Sequence, residues 1–139
     1  MLSAALPAPG WSFSICGVCC QVAGVLTGDS SMLGAALSSD TIVEVARGPL
    51  IPGFAAVKAA ALGAGAYGCT ISGAGPTVVA IAPDMQAGER IAQAMVAAFR
   101  KEGPLEVNYA GVAQLCAGGA REYVKGDEVG APGCVKRIV

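Results

Sequence analysis

The stretch Thr70–Ala80, TISGAGPTVVA, places two glycines and a proline between two runs rich in β-branched residues. Because glycine has no Cβ, the backbone around Gly73 and Gly75 can turn its N–H groups toward an anion such as a phosphate. The same residues also suit an ordinary hairpin turn, although Asn-Gly or Asp-Gly is the more common choice there. The spacing alone leaves a plain turn and an anion-binding loop both open.

The loop does not match two common nucleotide-binding motifs. No Gly-Lys-Ser/Thr follows it, so it is not a Walker loop. Val78 stands where a dinucleotide fingerprint would have its third glycine, and a strand rather than a helix is predicted to follow.

Histidine and cysteine usage restricts the chemistry further. The chain has no histidine, which excludes Ser-His triads, Cys-His dyads and metal sites that use histidine. Cys16 and Cys19, next to Cys20, form a C-x-x-C that suits half a zinc site or a redox pair. No second C-x-x-C completes a zinc site, so we interpret the cysteines as buried, reduced and structural, which weakly favours a reducing compartment.

Length and composition indicate one domain. The 139 residues are 54% hydrophobic and 14% charged, so part of the surface is expected to face another segment or subunit. A net charge of −1 without a basic cluster argues against nucleic-acid binding. Residues 13–26 are apolar but too few to span a bilayer, and the first positive charge is Arg47, so neither a membrane span nor a transit peptide is predicted.

The hydrophobic pattern predicts three helices in the first half. Residues 1–11 look irregular, residues 13–26 suit a buried helix, and Asp29 can cap a second, short helix. Residues 41–50 are predicted to be extended or a loop. Pro52 fits the first turn of the third helix.

The second half is predicted to combine strands with one strongly amphipathic helix. Residues 67–72 and 77–82 have strand patterns on either side of the glycine loop, Pro83-Asp84 opens the helix, and residues 105–112 resume a strand. Two strands, a helix and a returning strand form half of a ferredoxin-like split β-α-β unit. The predicted class is α+β, with a small, mostly antiparallel sheet and helices on one face.

Three segments together resemble the homoserine kinases of the GHMP kinase superfamily, above all the plant type. They are the run 37–83, which includes RGPLIPGF and SGAGPT, the upstream run VLTGDSSMLGAALSSD and the downstream run GERIAQAMVAAF. The resemblance covers about residues 20–123, and Gly119-Ala120-Arg121 is similar to the family's closing strand. It implies a GHMP kinase C-terminal domain from an enzyme that uses ATP and Mg²⁺ to phosphorylate L-homoserine in threonine biosynthesis.

The resemblance also implies roles for particular residues. In the family the SGAGPT loop lies near the phosphates of ATP, which implies nucleotide contacts for Ser72, Gly73, Ala74, Gly75 and Thr77. An arginine in the matching R-x-x-L-I-P segment holds the homoserine carboxylate, which implies that role for Arg47. A guanidinium can form two parallel hydrogen bonds to a carboxylate. From its own surroundings in the sequence, Arg47 is equally well interpreted as a solvated cation, and Asp40 and Glu44 as structural or solvated groups, with Asp40 able to cap or orient the Arg47 loop.

The main ATP site of the family has no counterpart in this sequence. That site is a P-x-x-x-G-L-G-S-S-A loop at a helix N-terminus of the N-terminal domain, which also supplies the Mg²⁺ ligands and much of the homoserine site. We therefore expect a C-terminal fragment that is inactive alone and has no catalytic or metal-binding residues. The alternative is a non-catalytic interaction module. Expected partners are homoserine, ATP, and either a second copy or the missing kinase half, but neither nucleic acid nor membrane.

The expected organisation has three parts. Residues 1–15 are unlike the family, residues 16–124 form the kinase C-terminal domain, and residues 125–139 form a loosely ordered tail. Plant-type resemblance implies a plastid location, and without it the cytoplasm is expected.

Overall fold

A computed structural model describes residues 9–102, 106–114 and 135–138. Within these ranges the chain forms α-helices, one 3-10 turn and short strands. In chain order they are α1 (Pro9–Thr27), α2 (Ser30–Leu37), α3 (Val43–Arg47), the 3-10 turn (Gly48–Leu50), α4 (Phe54–Gly63), β1 (Gly68–Ile71), β2 (Val78–Ile81), α5 (Met85–Glu102), β3 (Gly111–Ala113) and β4 (Val135–Arg137).

Helix α1 is longer and more exposed than its sequence predicts. It begins at Pro9, within the segment predicted to be irregular, because proline is well tolerated in a first helical turn. The run 13–26 is helical as predicted, but the prediction that this helix is buried is wrong, since Val25 is 64% exposed and Leu26 is 81% exposed. Gly24 allows close packing on α2, because a Cβ there would lie within 3 Å of the α2 backbone.

The cysteines divide between core and surface. Cys69 is a buried free thiol, as predicted, whereas Cys19 and Cys20 are exposed free thiols on α1, so the prediction of burial is wrong for this pair. The side chains of Cys16, Cys116 and Cys134 lie outside the described residues.

Within the segment 41–50, residues 43–50 form α3 and the 3-10 turn, so the prediction of an extended segment or loop is wrong for them. The Asp40 carboxylate accepts hydrogen bonds from the N–H groups of Ile42 and Val43 at 2.9 Å and of Glu44 at 3.1 Å. These bonds satisfy the first free donors of α3 and favour a helix despite the β-branched residues. By contrast, the predicted cap of α2 is confirmed, because Asp29 accepts the N–H of Met32 at 2.9 Å.

Helix α4 and the strands that follow frame the glycine loop. Helix α4 begins at Phe54 rather than at Pro52, because Gly53, with φ of 85°, turns the chain just before it. Strands β1 and β2 pair antiparallel with Ile71 opposite Val78, which confirms the predicted hairpin around the loop.

The core lies between this hairpin and two helices. Ala61 of α4, Cys69 of β1, and Ala87 and Ile91 of α5 form one buried cluster. Helix α5 begins as predicted, with the Asp84 carboxylate accepting the N–H of Ala87 at 2.7 Å. The α+β class is confirmed, with its helices packed on an antiparallel strand pair.

Helix α2 lies against β1. A Cβ on Gly68 would overlap the carbonyl of Gly34, so the two backbones are nearly in contact. The Ser38 hydroxyl accepts the N–H of Cys69 at 2.9 Å and donates to the Cys69 carbonyl at 3.4 Å. These bonds satisfy backbone groups that an edge strand would otherwise expose.

The returning strand is shorter than predicted. Residues 106–110 have no regular structure, and β3 covers only Gly111–Ala113. It pairs antiparallel with β4, so the described strands make two separate two-stranded sheets rather than one. Strand β4 falls within the predicted tail 125–139, while residues 115–134, including Gly119-Ala120-Arg121, lie outside the described residues.

Among the described residues, no single helix combines the length and apolar character needed to cross a membrane. The bent pair Val43–Leu50 and Phe54–Gly63, with 113° between its members, meets that test by length and composition only.

Candidate functional site

Arg47 is the last residue of α3, and its position depends on how that short helix is held. Five residues are too few for a helix that is stable by itself. Asp40 fixes the N-terminus of α3 through the three hydrogen bonds described above. Partial burial raises the pKa of Asp40, but the three N–H donors and the charge of Lys58 outweigh it, so its pKa lies below the ordinary value.

The glycine loop is a tight turn that packs on the segment after α3. The N–H of Ser72 donates to the carbonyl of Thr77 at 2.8 Å, and the N–H of Gly75 donates to the carbonyl of Ser72 at 3.1 Å. Gly73 and Gly75 have φ of 59° and 80°, a region that favours glycine. A Cβ on Gly75 would lie 2.8 Å from Cδ1 of buried Ile51, so an added methyl group would have to displace the end of that side chain.

Arg47 and the loop face each other across an open groove. Nη1 of Arg47 donates to the Ala74 carbonyl at 3.4 Å. The groove has a volume of about 480 Å³ and is open to solvent. It is lined by Arg47, Leu50, Ile51, Pro52, Ala74, Gly75 and Pro76. Of the candidate residues from the sequence, Arg47, Ala74 and Gly75 meet here, whereas Ser72, Gly73 and Thr77 lie on the loop without lining the groove.

Arg47, at the groove, and the glycine loop both carry N–H donors that are not used within the described chain. Arg47 is exposed, and neither ion pair found among the described residues involves it. The hydrogen bonds of the described chain use the N–H groups of Ser72 and Gly75 but not those of Gly73 and Ala74. Such donors suit a carboxylate beside Arg47 and an anion at the loop.

A half-buried ion pair between α3 and α4 was not predicted from the sequence. Lys58 of α4 pairs with Oε1 of Glu44, and Oε2 of Glu44 accepts a hydrogen bond from Oγ1 of Thr70 at 3.3 Å. Lys58 also donates to the Ser38 carbonyl at 3.4 Å. Lys58 and Glu44 are 14 positions apart and belong to different helices, so no local spacing in the sequence indicates the pair.

The nearby Cys69 thiol is not suited to nucleophilic chemistry. Burial raises its pKa to about 11, and the Glu44 charge raises it too, while Lys58 acts in the opposite direction. No group of three His, Cys, Asp or Glu side chains in the described ranges is placed to bind a metal ion. Arg47 and the loop present a cation and backbone N–H donors.

The fold and the groove together define an α+β domain in which a glycine loop lies opposite one arginine. A family profile described as "GHMP kinases C terminal" matches residues 22–101, and the chain belongs to this family.

Homoserine kinases are among the proteins most similar to this chain. The homoserine kinase of Arabidopsis thaliana is 59% identical over 100 residues, which cover 72% of this chain and 27% of that protein. The homoserine kinase of Chlorobaculum tepidum is 43% identical over 100 residues, covering 72% and 31% respectively. A crystal structure of homoserine kinase from Cytophaga hutchinsonii superposes with a TM-score of 0.65 at 42% identity, covering 72% of this chain and 31% of the other. The chain thus spans less than a third of the length of these relatives.

Proposed function

We propose that this chain forms the C-terminal part of a homoserine kinase, the enzyme that transfers a phosphoryl group from ATP to the hydroxyl of L-homoserine. The product would be O-phospho-L-homoserine, in threonine biosynthesis. The observation that carries the proposal is the groove in which Arg47 faces the loop Ser72–Thr77. The 59% identity to the Arabidopsis homoserine kinase supports it.

Arg47 is proposed to bind the homoserine carboxylate. Its guanidinium is exposed, is outside both described ion pairs and is held at the groove by the Ala74 carbonyl. Two parallel charge-assisted hydrogen bonds would fix the carboxylate and so orient the hydroxyl of the same molecule. Lysine cannot reproduce that planar geometry.

The loop is proposed to lie beside the phosphates of ATP. The N–H groups of Gly73 and Ala74, which the described hydrogen bonds leave unused, fit an anion, and the residues Ser72, Gly75 and Thr77 hold the turn in shape. Bound ATP would supply the phosphoryl group, and Mg²⁺ would neutralise the charge of the phosphates. The ligands of Mg²⁺ are proposed to come from elsewhere in a complete kinase, since the described residues contain no suitable cluster.

The 139-residue chain alone is proposed to be inactive. Phosphoryl transfer depends on positioning and on many donors around the phosphates, and single donors of this kind are each worth about a hundredfold to a thousandfold in rate. One glycine loop without a neighbouring lysine supplies only a few of them. We expect ATP binding no tighter than millimolar.

The similarity to the Arabidopsis protein also favours a plastid location, which microscopy of the fluorescently tagged protein in plant cells would test.

A replacement experiment tests the proposed function. The 100 residues of the Arabidopsis homoserine kinase that match this chain are exchanged for the corresponding residues of this chain. We expect the hybrid to form phosphohomoserine from homoserine and ATP, and the 139-residue chain alone to form none. A folded hybrid that binds ATP but forms no product would contradict the proposal, and so would turnover by the isolated chain.

A second function, that of a non-catalytic interaction module, is favoured by one observation. The face of α1 that carries Val18, Val22, Val25 and Leu26 is apolar and more than half exposed at each of these residues. Exposed apolar faces of this kind are often protein contact sites. The same hybrid distinguishes the two functions, because a module that has lost the kinase chemistry would not restore activity.

A further inference from the structure

We propose that Lys58 and Glu44 form a positioning pair for Arg47, in which Lys58 holds the Glu44 carboxylate away from Arg47 so that the guanidinium stays available at the groove. The role of this pair rests on the proposed function, in which Arg47 binds the homoserine carboxylate. The pairing itself concerns only groups that the structure describes.

Glu44 lies on the same short helix, α3, as Arg47. Glu44 and Arg47 are separated by three residues, a spacing at which opposite charges on a helix normally attract each other and pair. In this structure they diverge instead. Glu44 points to Lys58 and Thr70, whereas Arg47 reaches the Ala74 carbonyl on the glycine loop.

Helix α3 has few other attachments. None of its five residues is buried, so no core side chain fixes the helix. Apart from the Asp40 cap, its described side-chain hydrogen bonds are those of Glu44, to α4 and β1, and that of Arg47. Besides the Asp40 cap, the contacts of Glu44 therefore help to fix α3 and, with it, the starting position of the Arg47 side chain.

Burial makes the charges of Glu44 and Lys58 depend on each other. The Glu44 and Lys58 side chains are only 14% and 18% exposed, so removing one charge leaves the other poorly compensated. If Lys58 is lost, the nearest cation on the same helix is Arg47. The Glu44 carboxylate would then compete for the same guanidinium that a substrate carboxylate would use.

The test measures how fast phenylglyoxal modifies Arg47 in the 139-residue chain, read by mass spectrometry. Arg90, which is exposed on α5, serves as the internal reference in every sample. In Lys58→Met we expect modification of Arg47 to slow at least about twofold, as its guanidinium pairs with Glu44. Lys58→Arg should restore the original rate, because it keeps the countercharge.

The double variant Glu44→Gln/Lys58→Met separates positioning from general damage. It lacks the competing carboxylate, so Arg47 should again react at the original rate, whereas a loss of packing alone would persist. Where Lys58→Met does not fold by circular dichroism, Lys58→Gln gives the same comparison. An unchanged Arg47 rate in the folded single variant, or a slowed rate in the double variant, would overturn the proposal.

This measurement uses no homoserine and no ATP, so it stands apart from the proposed function. If the Arg47 rates behave as expected but the hybrid kinase is inactive, the pairing is retained and the assigned ligand of Arg47 is wrong. If the rates do not change while the hybrid is active, the proposed function is retained and the pairing is rejected.

Discussion

At the scale of single residues, the two glycines of the loop, Gly73 and Gly75, are favoured for different physical reasons. Gly75 has positive φ and also contacts Ile51, whereas Gly73 has positive φ but no heavy atom within 4 Å of an added Cβ. The two positions therefore separate the cost of backbone strain from the cost of overpacking.

We predict that Gly75→Ala lowers the free energy of unfolding by about 2–4 kcal/mol, the sum of a strained backbone and a displaced Ile51 side chain. Gly73→Ala should cost about 1 kcal/mol, from strain alone. Urea unfolding followed by circular dichroism measures both. Equal losses in the two variants would mean that the contact between the loop and Ile51 is not a close one.

The Cys69 thiol gives a second residue-scale prediction. Because burial raises its pKa to about 11, the folded chain should leave Cys69 unmodified by iodoacetamide at pH 8, while the exposed Cys19 and Cys20 react. The folded pKa lies above that of an unfolded thiol, so the stabilising contribution is complete below about pH 8.5 and is lost as the pH rises toward 11. Peptide mapping after alkylation is the measurement, and rapid labelling of Cys69 in folded protein at pH 8 would contradict it.

At the scale of elements, α3 depends on a cap rather than on a buried face. Asp40 accepts three backbone N–H groups, whereas Asp29 accepts one at the start of α2. The two carboxylates are a matched pair for testing how much a cap contributes.

We predict that Asp40→Ala destabilises the chain by about 1–2 kcal/mol at pH 7, and Asp29→Ala by less. The folded pKa of Asp40 is lowered, so its contribution is present above the unfolded pKa and is lost as the pH falls through the folded value. The difference between wild type and Asp40→Ala should therefore shrink below about pH 4. Unfolding curves at pH 7 and pH 3 measure it, and a difference that persists unchanged at pH 3 would count against the cap.

The sequence predicted local elements better than the contacts and pairings between elements. The hairpin around Ser72–Thr77 and the caps Asp29 and Asp84 depend on neighbouring residues, and all three were found. Residues 41–50 were missed because their β-branched residues favour a strand, while one carboxylate outweighs that preference. The pairing of β3 with β4 joins residues more than twenty positions apart, which no periodicity indicates.

The candidate site was predictable only where a motif carried it. Arg47 and the glycine loop were identified as candidate site residues through a family resemblance. The structure brings Arg47, Ala74 and Gly75 to one groove. The pair Glu44–Lys58 was missed, because its members belong to different helices and neither spacing nor charge pattern connects them.

At the scale of the whole molecule, α1 presents an apolar face that the rest of the described chain does not cover. Val18, Val22, Val25 and Leu26 share that face, and no residue of α1 carries a charge. We therefore predict that the isolated chain binds a dye sensitive to apolar surface and self-associates at moderate concentration.

The matched variants for this prediction are on α1 itself. Leu26→Lys should weaken both dye binding and self-association, whereas Thr27→Lys, at an exposed polar position, should change neither. Analytical ultracentrifugation measures the association. A monomeric wild-type chain that does not bind the dye would indicate that α1 needs no partner.

The most direct test of the proposed homoserine site is the KM for homoserine in the hybrid kinase that carries this chain's residues. Arg47→Lys should raise KM at least about tenfold and change kcat less, because a charge-assisted bidentate contact to the substrate is lost. Arg90→Lys, on the exposed side of α5, is the control and should leave KM unchanged. A KM for Arg47→Lys equal to that of the unmodified hybrid would contradict the assignment of the homoserine carboxylate to Arg47.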